Sequence, residues 1–119
     1  MLILTDKIAK EKLNELETLG EKETFFEDMI KGVVDVQRGL LAINAELHSD
    51  LEKYLLDNGS DNRSLYGINI LLDDYEIEFD SLINPPRNRE AGFPRAGRNV
   101  ADPMAREKIV EVVNKWIEL

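Results

Sequence analysis

Two groups of side chains in this 119-residue chain are of the right type for chemistry. The first is Arg87, Arg89, Arg95 and Arg98, four guanidinium groups within the stretch Asn84 to Val100. With Glu90 they give that stretch a formal +3 in a chain whose total is -9, which leaves -12 on the remainder. Each guanidinium presents a planar fork that can bond a phosphate or carboxylate at two points, and within about 10 Å, the Debye length, local charge outweighs distant net charge. The expected occupant is an anionic small molecule or the acidic surface of a partner protein. A competing use of the same arginines is to neutralise Glu76, Glu78 or Asp80, or a neighbouring subunit.

The second group is Glu46, His48 and Asp50, which alternate along the chain and could be joined by Asp80 or Asn69. Imidazole with carboxylates is an acceptable donor set for a divalent metal. Against a metal site, Glu46 falls on a solvated face and Asp50 in a first helical turn, where its charge complements the helix dipole. His48 is the only histidine, so a site built from several histidines is excluded within one chain. There is no Gly-rich phosphate loop, dinucleotide fingerprint or nucleophile elbow, and no cofactor is implied.

Composition bounds the classes. The length suits a single domain, residues 1–119, with one hydrophobic core. The acidic balance disfavours general nucleic-acid binding. With no cysteine there is no disulfide framework or thiolate site. The N-terminal apolar run is too short for a signal peptide, and no stretch approaches the ~18 apolar residues of a membrane span, so no membrane association and a cytoplasmic location are expected.

The elements that must position these groups follow from periodicity. Met1 to Leu4 suits a short edge strand. From Thr5 to Leu19, Ile8, Leu13, Leu16 and Leu19 hold helical spacing, and Gly20 supplies a stop. Ile30, Gly32, Val34 and Val36 alternate as a half-buried strand, Gly39 turns the chain, and Leu41, Ile43, Ala45 and Leu47 alternate again, forming an antiparallel hairpin. Ser49 with Glu52 has the form of a capping box opening a helix that Asn58-Gly59 ends. Tyr66 to Leu72 and Tyr75 to Phe79 form a second strand pair around Asp73-Asp74. Asn84 to Val100, with three prolines, reads as a long loop, and Asp102-Pro103 caps a final helix whose stripe is Ile109, Val112, Val113 and Trp116. Ile30, Val34, Val36, Ile43, Ile68, Ile70, Ile77, Phe79, Ile109, Val113 and Trp116 are expected to share one core. The fold class is α+β: an antiparallel sheet of four strands, five if residues 1–4 join it, with helices on one face, in the order α-ββ-α-ββ-α.

The segments DMIKGVVDVQRGLLAINAELHSDLE, LYGINI, IEFDSLIN and DPMAREKIVEVVNKW, with an arginine-rich loop between the last two, resemble a family of small prokaryotic proteins classed as a domain of unknown function. The likeness covers nearly the whole chain. The stretch Pro86 to Asn99 diverges from the family's shorter Gly-Asn-Arg-Ser-Arg-Gly type. The resemblance implies no activity to transfer.

The residues themselves favour a non-enzymatic binding or regulatory module, self-associating as a homodimer, whose arginine loop takes an anion. The rival is a small metal-dependent enzyme acting on a phosphate-containing substrate, with His48 as ligand or acid/base. Whether His48 and the arginine loop share a pocket separates the two.

Overall fold

A computed structural model describes all 119 residues. Its centre is a pair of long strands, β3 (Met29–Asp35) and β5 (Leu65–Leu71), antiparallel along seven residues from Met29 opposite Leu71 to Asp35 opposite Leu65. β4 (Leu40–Ile43) folds back on β3 through a turn in which Gly39 takes φ 67°, a left-handed value that glycine adopts without a Cβ clash. β1 (Leu2–Ile3) joins the outer edge of β4, and β6 (Ile77–Glu78) that of β5. The result is a five-stranded antiparallel sheet in the order β1-β4-β3-β5-β6, so the N-terminal run does supply a fifth strand. β2 (Ile8–Ala9) pairs in parallel with β7 (Ile117–Glu118) outside that sheet.

Three helices accompany the sheet: α1 (His48–Asp57), α2 (Asn84–Glu90) and α3 (Pro103–Trp116). They lie on both faces, not one. Ile30, Val34, Leu41, Ile43, Ile68 and Ile70 pack against Ile109, Val112 and Val113 of α3. Their strand neighbours Val33, Ala42 and Leu65, which point to the other face, pack against Leu51 and Leu55 of α1 and against Ile83. The reason was present in the composition: Val33-Val34 and Leu65 to Ile70 are nearly continuous apolar runs, as expected of strands covered on both sides. The expected core is found on the α3 side, with Val36, Ile77, Phe79 and Trp116 at its margin.

Two local expectations are corrected. Residues 5–19 are not an α-helix but β2 followed by two 3-10 turns, Lys10–Asn14 and Leu16–Leu19, stopped by Gly20 at φ 87°. Leu13 is buried from the first turn and Leu16 from the second, with Glu15 breaking the helical backbone between them at φ -131°, ψ 45°, which a continuous α-helix would not allow. Nor is Asn84 to Val100 all loop. Pro85 and Pro86 fall in the first turn of α2, where backbone amides need no intrahelical partner. The full order is thus ββ, two 3-10 turns, ββ, α, a third 3-10 turn (Asn62–Ser64), ββ, α, α, β rather than α-ββ-α-ββ-α.

Helix ends match the expected chemistry at α3, where the Asp102 side chain accepts from the Met104 amide at 3.0 Å. α1 differs. It begins at His48, Leu47 holds the capping position with no side-chain bond, and Glu52 turns to Arg87 instead of back to the helix start. No helix is long and apolar enough to cross a membrane.

Candidate functional site

α2 is amphipathic in polar groups. Asn84, Arg87 and Asn88, spaced i, i+3 and i+4, form one buried face. Asn84 Oδ1 accepts from the Gly67 amide at 2.8 Å, and its Nδ2 donates to the carbonyls of Gly67 (2.9 Å) and Arg98 (3.0 Å), completing β5 where β6 has left it. Asn88 Nδ2 donates to the carbonyls of Gly97 and Asn99 at 2.9 and 2.8 Å, and Oδ1 accepts from Ala101 at 3.0 Å. Arg87, 6% exposed, donates to the Ile83 carbonyl (2.8 Å), to the carbonyl (3.1 Å) and Oδ1 of Asn62, and to Glu52 Oε2. These bonds absorb the guanidinium.

The four arginines therefore do not converge. Arg87 faces inward, and Arg98 forms a two-point pair with Asp80, Nε to Oδ1 at 2.9 Å and Nη2 to Oδ2 at 3.2 Å. Arg89 and Arg95 are exposed and form no ion pair. Glu46, His48, Asp50 and Asp80 do not converge either: Glu46 and Asp50 are exposed, Asp80 is held by Arg98, and no three such side chains lie close enough to hold an ion.

What the fold does bring together is His48 and Arg98. Both line a cleft of about 220 Å³, with Lys31 from β3 and Ser49 at the start of α1, and with Leu47, Leu82 and Ile83 as apolar wall. Register explains how Lys31 reaches this side of the sheet. Lys31 stands opposite Asn69, and Asn69 opposite Glu78, a polar row across the sheet on the face that carries α1. α1 starts beside Lys31: the Asp50 amide donates to the Leu47 carbonyl at 3.1 Å, while His48 and Ser49, which line the cleft, have no side-chain acceptor from Leu47 for their amides.

His48 is buried, and its Nε2 lies 2.7 Å from the Ile68 carbonyl. A carbonyl only accepts, so Nε2 carries the proton and Nδ1 is the bare nitrogen of the neutral ring. Burial pushes the imidazole below its ordinary pKa; the Ile68 bond opposes this, Lys31 adds to it, and Asn69 and Asp80 oppose it. Asn69 Nδ2 donates to Glu78 Oε1 at 2.7 Å, while its buried Oδ1 has no hydrogen-bond partner. Lys31 Nζ lies 5.0 Å from the centre of the Phe26 ring and forms no ion pair.

Sequence reasoning singled out His48 and Arg98 but missed Lys31, which lies between the core positions Ile30 and Gly32, and missed the structural roles of Asn84 and Asn88. For the asparagines a signal existed: Asn84, Arg87 and Asn88 keep helical spacing directly behind two prolines.

An antiparallel sheet covered on both faces, with a cationic cleft at the start of one helix, defines a small α+β protein. The chain belongs to the family described as "Protein of unknown function (DUF5674)", whose model matches residues 2–116, in agreement with the resemblance read from its segments. No curated protein and no solved structure matches it.

Proposed function

We propose that the chain is a non-enzymatic binding module for a small anion, and that its site is the cleft between the start of α1 and Arg98. One observation carries this reading: Lys31, Arg98 and the uncapped N-terminus of α1 converge on the same 220 Å³ space in a chain of net charge -9. The helix end contributes about half a positive charge and the amides of His48 and Ser49, and Lys31 a full charge. The anion contact of the arginine-rich segment is then Arg98 rather than the whole set, since Arg87 is enclosed. A second reading, phosphate chemistry with His48 as acid/base, is favoured by one fact, that His48 and Arg98 share the cleft.

Calorimetric titration of the full chain with acetate and inorganic phosphate tests the first reading. Binding is expected at low salt, weakening as ionic strength rises and lost in Lys31→Gln, since the exposed charges are screened. Absence of heat with both anions at millimolar concentration and low salt would overturn it. Hydrolysis of a generic phosphate ester that disappears in His48→Asn would favour the second reading.

A further inference from the structure

The charge and the walls of the cleft narrow the ligand. Arg98 is matched at two points by the Asp80 carboxylate, so its formal charge is compensated within the protein. Lys31 is the one cleft side chain with a full charge and no carboxylate partner. One uncompensated cation and a helix terminus match a monoanion. A phosphomonoester dianion would leave a charge unmatched beside Asp80, which is paired with Arg98.

The walls are apolar where a purely ionic site would be polar. Leu82 is 74% exposed and Leu47 53%, and both face the same cleft as Ile83. Isolated exposed leucines are ordinary, but two that flank one charged pocket form an apolar rim around a polar floor. A volume of 220 Å³ corresponds to roughly seven waters at ~30 Å³ each, room for a ligand of about ten non-hydrogen atoms.

We propose that the cleft binds a monocarboxylate bearing a short apolar group of about four to six carbons, sized by that volume. The carboxylate meets Lys31 and the amides of His48 and Ser49, the Asp50 amide being taken by the Leu47 carbonyl, and the apolar group lies between Leu47, Leu82 and Ile83. The proposal rests on the anion-site reading and adds the ligand's charge and tail. The same chemistry is offered by a free branched-chain acid and by the C-terminus of a peptide ending in leucine.

The experiment is calorimetry of the full chain with five probes: acetate, 4-methylpentanoate, 4-methylpentanamide, inorganic phosphate at pH 8, and an acetylated tripeptide ending in leucine with a free carboxylate. Affinity should rise about fourfold for each methylene buried, so 4-methylpentanoate should bind on the order of fifty times more tightly than acetate if three are covered. The amide should not bind. Leu82→Ser, at a position too exposed to threaten folding, should bring the ratio between 4-methylpentanoate and acetate toward one. Preference for the peptide would assign the source to a chain terminus, and preference for the free acid to a small molecule; either sustains the proposal. Equal binding of acetate and 4-methylpentanoate, or tightest binding of phosphate, would overturn it while leaving an anion site in place. Failure of every probe would overturn the anion site as well.

Discussion

Replacing Arg87 with lysine distinguishes a ligand contact from a structural pin. The arginine reaches the Ile83 carbonyl, two acceptors of Asn62 and Glu52, four bonds in directions that only a planar fork spans. Lysine retains the charge opposite Glu52 but is shorter and cannot copy the fork, so about two of the bonds to buried acceptors are lost. At ~1–2 kcal/mol for each acceptor left bare, Arg87→Lys should cost about 2–4 kcal/mol, a large share of a small protein's ~5–15 kcal/mol. With a urea slope of about 1.5 kcal/mol/M, the midpoint should fall by roughly 1.3–2.7 M. Trp116 is the single tryptophan and is half-buried, so its fluorescence reports the transition. Arg89→Lys and Arg95→Lys, on exposed side chains without ion pairs, should stay within about 0.5 kcal/mol of the parent. A loss below about 0.5 kcal/mol for Arg87→Lys would refute the pin and return this guanidinium to the list of available anion contacts.

Gly67→Ala should cost about 2–3 kcal/mol, because the new Cβ would stand 2.4 Å from Ser81 Cβ and Oγ; a urea midpoint equal to the parent's would show that the segment after β6 yields freely. His48 should make stability depend on pH. Its folded pKa lies below the ordinary 6.5, so the unfolded chain binds the proton more readily, and stability should fall as pH drops from about 6.5 toward the folded value, whereas His48→Asn should flatten that slope in denaturation followed between pH 7.5 and 5. Leu47→Ser places a good acceptor at the start of α1; melting should show about 1 kcal/mol of added stability, and acetate titration should show weaker binding because the serine oxygen occupies an amide the anion would use.

Legibility in the sequence followed locality. Turns and stops that depend on one or two residues, at Gly39, Asn58-Gly59 and Asp102-Pro103, lie where glycine's left-handed φ or proline's missing donor requires them. Face assignment depends on what a distant element covers. Val33 and Asp35 alternate with the core residues and look solvent-facing, yet α1 covers Val33, and Asp35 is buried, accepting from the Gln37 and Arg38 amides at 3.0 and 2.9 Å and from Ser60 Oγ at 2.6 Å. The cleft was half legible for the same reason. His48 and Arg98 stand out by type, but Lys31 joins them only through the register that sets β3 beside β5 and the helix start above both.

The enclosed residues also bear on the open ones. Three consecutive carbonyls, of Gly97, Arg98 and Asn99, are held by Asn84 and Asn88, and the Ser81 amide donates to the Arg98 carbonyl at 3.1 Å, so the backbone beneath Arg98 is fixed on both sides. Arg87 then ties that segment to Glu52 of α1, whose start is the opposite wall. One wall is thereby bonded to the other through α2, so an anion bound as proposed would face little ordering cost, since both sides are already held. On the proposed anion-site reading, Arg87 is a positioning residue of the cleft rather than a ligand contact. A lysine there should loosen the spacing between Arg98 and the α1 amides, lowering anion affinity even at temperatures where the chain remains folded.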